Sequence, residues 1–158
     1  MLGDNVTLIG VISDTHGYVP DGVARAFEGV SRILHAGDID SGAVLEELSR
    51  IAPVTAVRGN MDNRGDVRAL SRTGMESIEG RLIYVKHSID YLDIDPVAAG
   101  VACVVSGHTH RPRIDTVAGV LYLNPGSASR PRGGYSPSVA LVRIDETTLE
   151  AEIVNLDP

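Results

Sequence analysis

The stretch Val6-Thr7-Leu8-Ile9-Gly10-Val11-Ile12-Ser13-Asp14-Thr15-His16-Gly17 decides how the rest of the chain is read. Its first seven residues are apolar or β-branched apart from one glycine, as expected of a strand covered on both faces. The run then stops on a polar cluster, Asp14-x-His16. In parallel sheets, ligands bind outside the carboxyl ends of the strands. A strand that empties into Asp-x-His therefore delivers two ligand-type side chains to the edge where a site is expected.

The same arrangement recurs along the chain. Ile33-Leu34 leads into His35-Ala36-Gly37-Asp38, Val57 into Arg58-Gly59-Asn60, and Tyr84-Val85 into Lys86-His87. Val105 leads into Ser106-Gly107-His108-Thr109-His110. The chain holds five histidines, and every one follows such a run. Strands are expected over Val6–Ile12, Arg32–Leu34, Val54–Val57, Leu82–Val85, Val101–Val105, Val120–Leu123, Ser138–Ile144 and Glu150–Val154. The last two alternate, and read as a closing antiparallel pair joined across Asp145–Thr148.

Helical patterns separate the early strands. Pro20-Asp21-Gly22 opens one with Val23, Phe27 and Val30 on a single face. Asp40 or Ser41 caps a second, with Val44, Leu45, Leu48 and Ile51 inward and Pro53 ending it. A third, short helix is expected from Asp95-Pro96 to Gly100. Strands alternating with helices and then with hairpins point to an α/β sandwich with an antiparallel extension.

Composition bounds the function. The 158 residues are 43% hydrophobic and 22% charged, ordinary for a globular chain, so a disordered or fibrous protein is excluded. One domain spanning residues 1–158 is expected. The single cysteine, Cys103, rules out an internal disulfide framework and sits in the apolar run Val101–Val105, where it reads as a small buried hydrophobe. No basic leader opens the chain and no segment nears the ~20 apolar residues of a membrane span, so a cytoplasmic location is expected. A net charge of −7 disfavours nucleic acid beyond short fragments.

Asp14, His16, Asp38, Asn60, His87, His108 and His110 make seven candidate ligands. Imidazole nitrogen with carboxylate and amide oxygen, and no thiolate, suits Mn, Fe, Zn, Ni or Co rather than a structural zinc knot. Seven ligands exceed the needs of one ion but suit two that share a bridging carboxylate, clamping both oxygens of a displacement at phosphorus. Any single Gly-Asp or Gly-Asn pair is ordinary turn chemistry; five elements in register at strand ends are not. His35 reads as a core histidine and is left out of the set.

Taken in order, Asp14-x-His16, Gly37-Asp38, Gly59-Asn60, His87 and Gly107-His108-Thr109-His110 resemble the motif series of the calcineurin-like metallophosphoesterases. The resemblance is greatest to their small single-domain phosphodiesterase branch, which includes the retromer subunit Vps29. It runs from Val6 to about Pro131 and takes in the turn Asn124-Pro125-Gly126-Ser127. It implies a four-layer α/β/β/α sandwich of mixed sheets and a metal-dependent phosphoesterase, most of all a phosphodiesterase. Two divalent cations are implied, manganese foremost, with Ni, Zn, Fe or Mg as alternatives. Asp14, His16, Asp38 and His110 would hold the first, and Asp38, Asn60, His87 and His108 the second, with Asp38 as the bridge. A hydroxide shared by the cations would be the nucleophile; Asp38, Asn60 and His108 would act in catalysis, Asn60 donating to the phosphate. The alternative is a Vps29-like binding scaffold with little or no catalysis. A TIM barrel fails on length.

Three departures carry consequences. Gly59-Asn60-Met61-Asp62 has methionine where larger relatives have a proton-donating histidine, so esters with acidic leaving groups should be favoured. His87-Ser88-Ile89 replaces the usual His-Gly-His. The stretch between His87 and His108 is short, which should clip the helix there and open one side of the site or leave it to a second subunit, so a homodimer is a possible assembly. Between Val101 and Tyr135, Arg111, Arg113, Arg130 and Arg132 face one acidic residue, Asp115, and Arg58 and Arg64 flank the Asn60 loop. Asn60, Arg64 and Arg130 are the candidate substrate-binding residues, and a small phosphate ester the expected partner.

Overall fold

The computed structural model describes residues 6–156 and arranges them as two five-stranded mixed sheets stacked face to face. The first has strands β1 (Thr7–Ile12), β2 (Arg32–His35), β3 (Val54–Ala56), β9 (Ser138–Ile144) and β10 (Leu149–Asn155), in the order β10-β9-β1-β2-β3. The second has β4 (Thr73–Ile78), β5 (Arg81–Lys86), β6 (Val101–Val105), β7 (Pro112–Val117) and β8 (Val120–Pro125), in the order β4-β5-β6-β8-β7. Each sheet has a parallel trio: β1-β2-β3 ends the first sheet at the edge β3, with antiparallel β9 and β10 on its other side, and β5-β6-β8 is flanked on both sides by the antiparallel β4 and β7.

Period-two alternation distributes the apolar residues. Ile9 and Val11 of β1 and Leu34 of β2 point between the sheets, where they meet Ile83 and Val85 of β5 and Cys103 and Val105 of β6. Cys103 is fully buried there, and burial pushes its thiol up to about 12, so the apolar reading holds. Ile12 and Ile33 point the other way, onto α1 (Gly22–Ala26) and α2 (Gly42–Ser49), with Val23, Val44 and Leu48. Phe27 lies over Gly10, where a Cβ would come within 2.9 Å of the ring. The one glycine of the opening strand therefore makes room for the largest fully buried side chain.

Helix α2 begins as its sequence predicts: Ser41, the residue before its first turn, accepts a hydrogen bond from Ala43 N. The third expected helix shrinks to one turn. Asp95 Oδ1 accepts from Val97 N and Ala98 N, and Gly100, at φ +72°, ends it at once. A turn this short gains too few hydrogen bonds to propagate. The outer layer over the second sheet is thus a 3-10 turn (Ile89–Tyr91) and irregular chain, with Ile89, Leu92 and Ile94 packed on Tyr84, Val101, Val104 and Val120.

Two strands, β4 and β7, were not expected. Both are edges of the second sheet, and residues 113–117 of β7 are exposed throughout. They return through Glu79-Gly80 and Ala118-Gly119, two-residue turns with positive φ at both positions, the geometry that matches the twist of a hairpin. Among the described residues no helix is long and apolar enough to cross a membrane.

Candidate metal centre

The parallel strands of both sheets end at a common edge. Ile12, His35 and Ala56 are in register at one sheet's carboxyl ends, and Val85, Val105 and Leu123 at the other's. The loops beyond them carry Asp14 and His16, Asp38, Asn60, His87, and His108 and His110. Six non-glycine residues here have left-handed backbones: Asp14, His16, Asp38, Asp40, His108 and His110, with φ between 47° and 75°. Such conformations are uncommon outside glycine and gather where surrounding structure enforces them.

Asp62 enforces two of them, Asp38 and Asp40. Its side chain is fully buried, and its carboxylate accepts four backbone N–H groups: Asp38 (3.0 Å), Ile39 (2.8 Å), Asp40 (2.8 Å) and Gly59 (2.8 Å). The loop after β2 is wrapped around this carboxylate, which turns Asp38 toward the centre. Ser127 does similar work on the other sheet's side, its hydroxyl donating to Asp14 O at 2.7 Å and accepting from Arg130 N. Asn124 donates to Gly107 O and accepts from Gly126 N, closing the turn that presents Ser127.

Three motif glycines are steric requirements. A Cβ on Gly59 would lie 2.2 Å from Asp38 Oδ1, one on Gly107 1.9 Å from Ser13 Oγ and 2.5 Å from Asp14 Oδ2, and one on Gly37 2.7 Å from His87 Nδ1. Gly-Asp, Gly-Asn and Gly-His recur because each loop passes against the next ligand.

The lone pairs are what make the site unusual. His87 Nδ1 donates to Ala36 O at 2.8 Å, and His110 Nδ1 donates to Arg130 O. His16 Nδ1 lies 3.2 Å from the Asp40 carboxylate. A carbonyl or carboxylate can only accept, so Nδ1 carries the proton and each Nε2 turns a lone pair inward. His110 Nε2 then sits 3.2 Å from Asp14 Oδ1 and 3.2 Å from His16 Nε2, and His87 Nε2 3.2 Å from Asp38 Oδ2. Asp14 Oδ1 and His87 Nε2 are buried with no hydrogen-bond partner. Such groups repel unless positive charge lies between them, so the donor set fits divalent cations. Burial opposes charge on Asp38, but a protonated His87 and the Met61 N–H outweigh it and hold the carboxyl below its usual range. Burial likewise opposes charge on His87, but Asp38 and Asp14 raise its pKa, so its Nε2 is a place that attracts positive charge, a proton when no cation is there.

Two groups of side chains have ligand atoms close enough to share an ion: Asp14, His16 and His110, and Asp14, Asp38 and His87. Asp14 is common to both groups, and Asp38, the bridge that the resemblance implies, stands in the second beside His87. Asn60 and His108 stand beside the second group, with His108 Nδ1 3.3 Å from Asn60 Oδ1 and the His108 ring 5.2 Å from that of His87. A cleft of about 400 Å³ opens over His16, Asp38, Asn60, His108 and His110 and is rimmed by Met61, Arg130 and Arg132. Arg64 does not line it; it is exposed at the start of the 3-10 turn Gly65–Ala69. His35 is fully buried, accepting from Gly37 N and paired with Thr15 Oγ1, a support of the loop rather than a ligand. Asp62 is the residue missed from sequence. Its signal is the fourth position of Gly59-Asn60-Met61-Asp62, an acid two residues past an expected ligand.

Residues 8–147 match the family described as the calcineurin-like phosphoesterase superfamily domain. A relative from Methanothermobacter thermautotrophicus, named "Probable metallophosphoesterase", is 39% identical over 93% of this chain and 91% of its own length. Vps29 of Cryptosporidium parvum superposes with a TM-score of 0.81 over 96% of this chain and 92% of its own, at 21% identity. An archaeal phosphodiesterase superposes with a TM-score of 0.78 over 94% of this chain and 100% of its own, at 22% identity. These two likenesses bear on the fold alone. Matched across most of its length, and by a relative sharing more than a third of its residues, the chain belongs to the calcineurin-like phosphoesterase superfamily, a family of metal-dependent enzymes.

Proposed function

We propose that this protein hydrolyses small phosphate esters, diesters foremost, with two divalent cations held among Asp14, His16, Asp38, Asn60, His87, His108 and His110. The observation that carries the reading is the set of inward lone pairs, three imidazole Nε2 atoms and two carboxylates packed at 3.2–4.0 Å. Bound there, divalent cations supply the acidity that makes water a nucleophile and the charge that offsets the developing negative charge on phosphoryl oxygens. Asp38 and Asp14 supply the anionic ligands, and the Asn60 amide and Arg130 face the cleft where the phosphoryl oxygens would lie.

Met61 is half-exposed at the cleft and has no proton to give. Without a positioned acid the leaving oxygen departs as an anion, so alkyl esters should forgo roughly the 10²–10⁴-fold that such an acid contributes, while aryl esters lose little.

The test is hydrolysis of bis(p-nitrophenyl) phosphate beside p-nitrophenyl phosphate and a graded series of alkyl and aryl esters. Metal-stripped protein is reloaded with Mn²⁺, Ni²⁺, Zn²⁺ or Mg²⁺, with Asp38→Asn alongside. Metal-dependent cleavage, abolished in Asp38→Asn and falling steeply as the leaving group becomes more basic, is expected. Equal rates across the series would remove the role given to Met61. Cations bound without turnover would favour a binding scaffold instead.

A further inference from the structure

A second cleft adjoins the metal centre. It encloses about 280 Å³ and shares Asn60 and His108 with the first, so this pair forms a saddle between the two. The far wall of the second cleft is basic. Arg58, Arg72 and Lys86 line it, against one acidic residue, Asp90. In a chain of net charge −7, three cations on one small wall are not the background composition.

The fold itself gathers them. Arg58 follows β3, Arg72 immediately precedes β4, and Lys86 ends β5. Because β4 runs antiparallel to β5, with Thr73 opposite Lys86, the start of one strand lies beside the end of the other. The Arg58 N–H donates to Ser71 O at 2.8 Å, which pins the end of β3 to the same corner. Arg58 Nε donates to Asp62 O, which fixes the side chain and leaves its two terminal nitrogens to act. Neither Arg58 nor Arg72 forms an ion pair among the described residues. Lys86 donates to Tyr91 O and lies 3.8 Å from Asp93, whose carboxylate also accepts from the Tyr84 hydroxyl.

Resting on the phosphoesterase reading, we propose that the Arg58–Arg72–Lys86 cleft is a subsite for a second phosphate, carried on one arm of the ester whose phosphorus sits at the metal centre. A phosphate dianion offers three acceptor oxygens in different directions, and guanidinium groups meet such oxygens in charge-assisted pairs. Three cations arriving from three strand ends suit that shape better than one planar carboxylate. The volume lies at the small end of ligand pockets, enough for a phosphorylated sugar and too little for a longer polymer. The substrate class is therefore a small diester with a terminal phosphate on the arm that enters this cleft.

Two p-nitrophenyl esters form a matched pair: thymidine 5′-(p-nitrophenyl phosphate) and the same ester bearing a 3′-phosphate. The phosphorylated one is expected to show a kcat/KM about 10- to 100-fold higher, the range for one or two charge-assisted contacts. Arg72→Glu, at an exposed position, and Lys86→Gln should bring the ratio to within about threefold of unity. Arg25→Glu, the same reversal on α1, should keep it. A ratio near one in the native protein, or one that Arg72→Glu leaves intact, overturns the subsite. If neither ester is cleaved, the hydrolase reading fails separately, and the subsite is judged by isothermal titration. Thymidine 3′,5′-bisphosphate should then bind at least tenfold tighter than thymidine 5′-monophosphate, and Arg72→Glu should erase the difference; equal binding overturns it.

Discussion

Replacing Asp62 by asparagine keeps the side chain's size and removes half of what it does. One carboxylate oxygen accepts from Ile39 N and Asp40 N, the other from Asp38 N and Gly59 N. Asparagine retains one acceptor and turns an NH2 toward two N–H donors. Two charge-assisted hydrogen bonds are lost in a fully buried place, and two donors are left unpaired. Net values of about 1.5–3 kcal/mol for a hydrogen bond to a charged group put the loss at about 3–6 kcal/mol. For a chain of this length that corresponds to a Tm lower by about 6–24 °C. The loop holding Asp38 and Asp40 in left-handed conformations would relax, so cation affinity should fall with stability. Urea unfolding followed by circular dichroism, with Mn²⁺ titration by calorimetry, measures both. A destabilisation under 1 kcal/mol with unchanged Mn²⁺ affinity would refute the view that this carboxylate holds the ligand loop in shape.

Other consequences are as direct. Adding Mn²⁺ at about 100 times its dissociation constant should stabilise metal-stripped protein by about 2.7 kcal/mol, visible as a rise in Tm; Asp14→Asn should abolish the rise, and a metal-free Tm that no divalent cation moves would count against the centre. Gly107→Ala should lower both stability and metal affinity because its Cβ would fall on Ser13 Oγ and Asp14 Oδ2; wild-type behaviour in both assays would show that the loop yields freely. His35, buried and beside His87, is pushed down to about 3. Since the folded state holds it neutral, its contribution is fully present above about pH 6.5 and declines as pH falls toward 3, by up to about 1.4 kcal/mol per pH unit. Its ring proton shifts in NMR should stay at the neutral position down to pH 4.5, and a midpoint near 6.5 would contradict the burial argument.

Much of the fold was legible because each central strand is a short apolar run that ends on a polar cluster. β1, β2, β3, β5, β6, β8, β9 and β10 all lie where the sequence predicts them. The edges β4 and β7 were not, because Thr73–Ile78 and Pro112–Val117 leave much of their surface in water and carry no continuous apolar run. The helix expected at Asp95–Gly100 failed for the opposite reason: its start and stop signals are real, but they stand too close together to enclose more than one turn.

Ligand identities were legible for a chemical reason. Asp-x-His, Gly-Asp, Gly-Asn and His-x-His are local patterns, and side chains that bind cations must come from a short list of residue types. What they are bound to was not. No local pattern says that the Nδ1 of His87 reaches across to Ala36 O in the other sheet, or that Asp14 lies within reach of both groups of ligands. Nor does any pattern announce the basic wall of Arg58, Arg72 and Lys86, because its middle member stands immediately before an edge strand that exists only through pairing with β5. The sequence by itself determined which strands form the core and which residues they deliver to one edge, since burial and ligand chemistry are written residue by residue. Only the tertiary structure decided which deprotonated atoms face one another and which charges share a wall, because those depend on how two sheets stack and on strands whose stability comes from their neighbours.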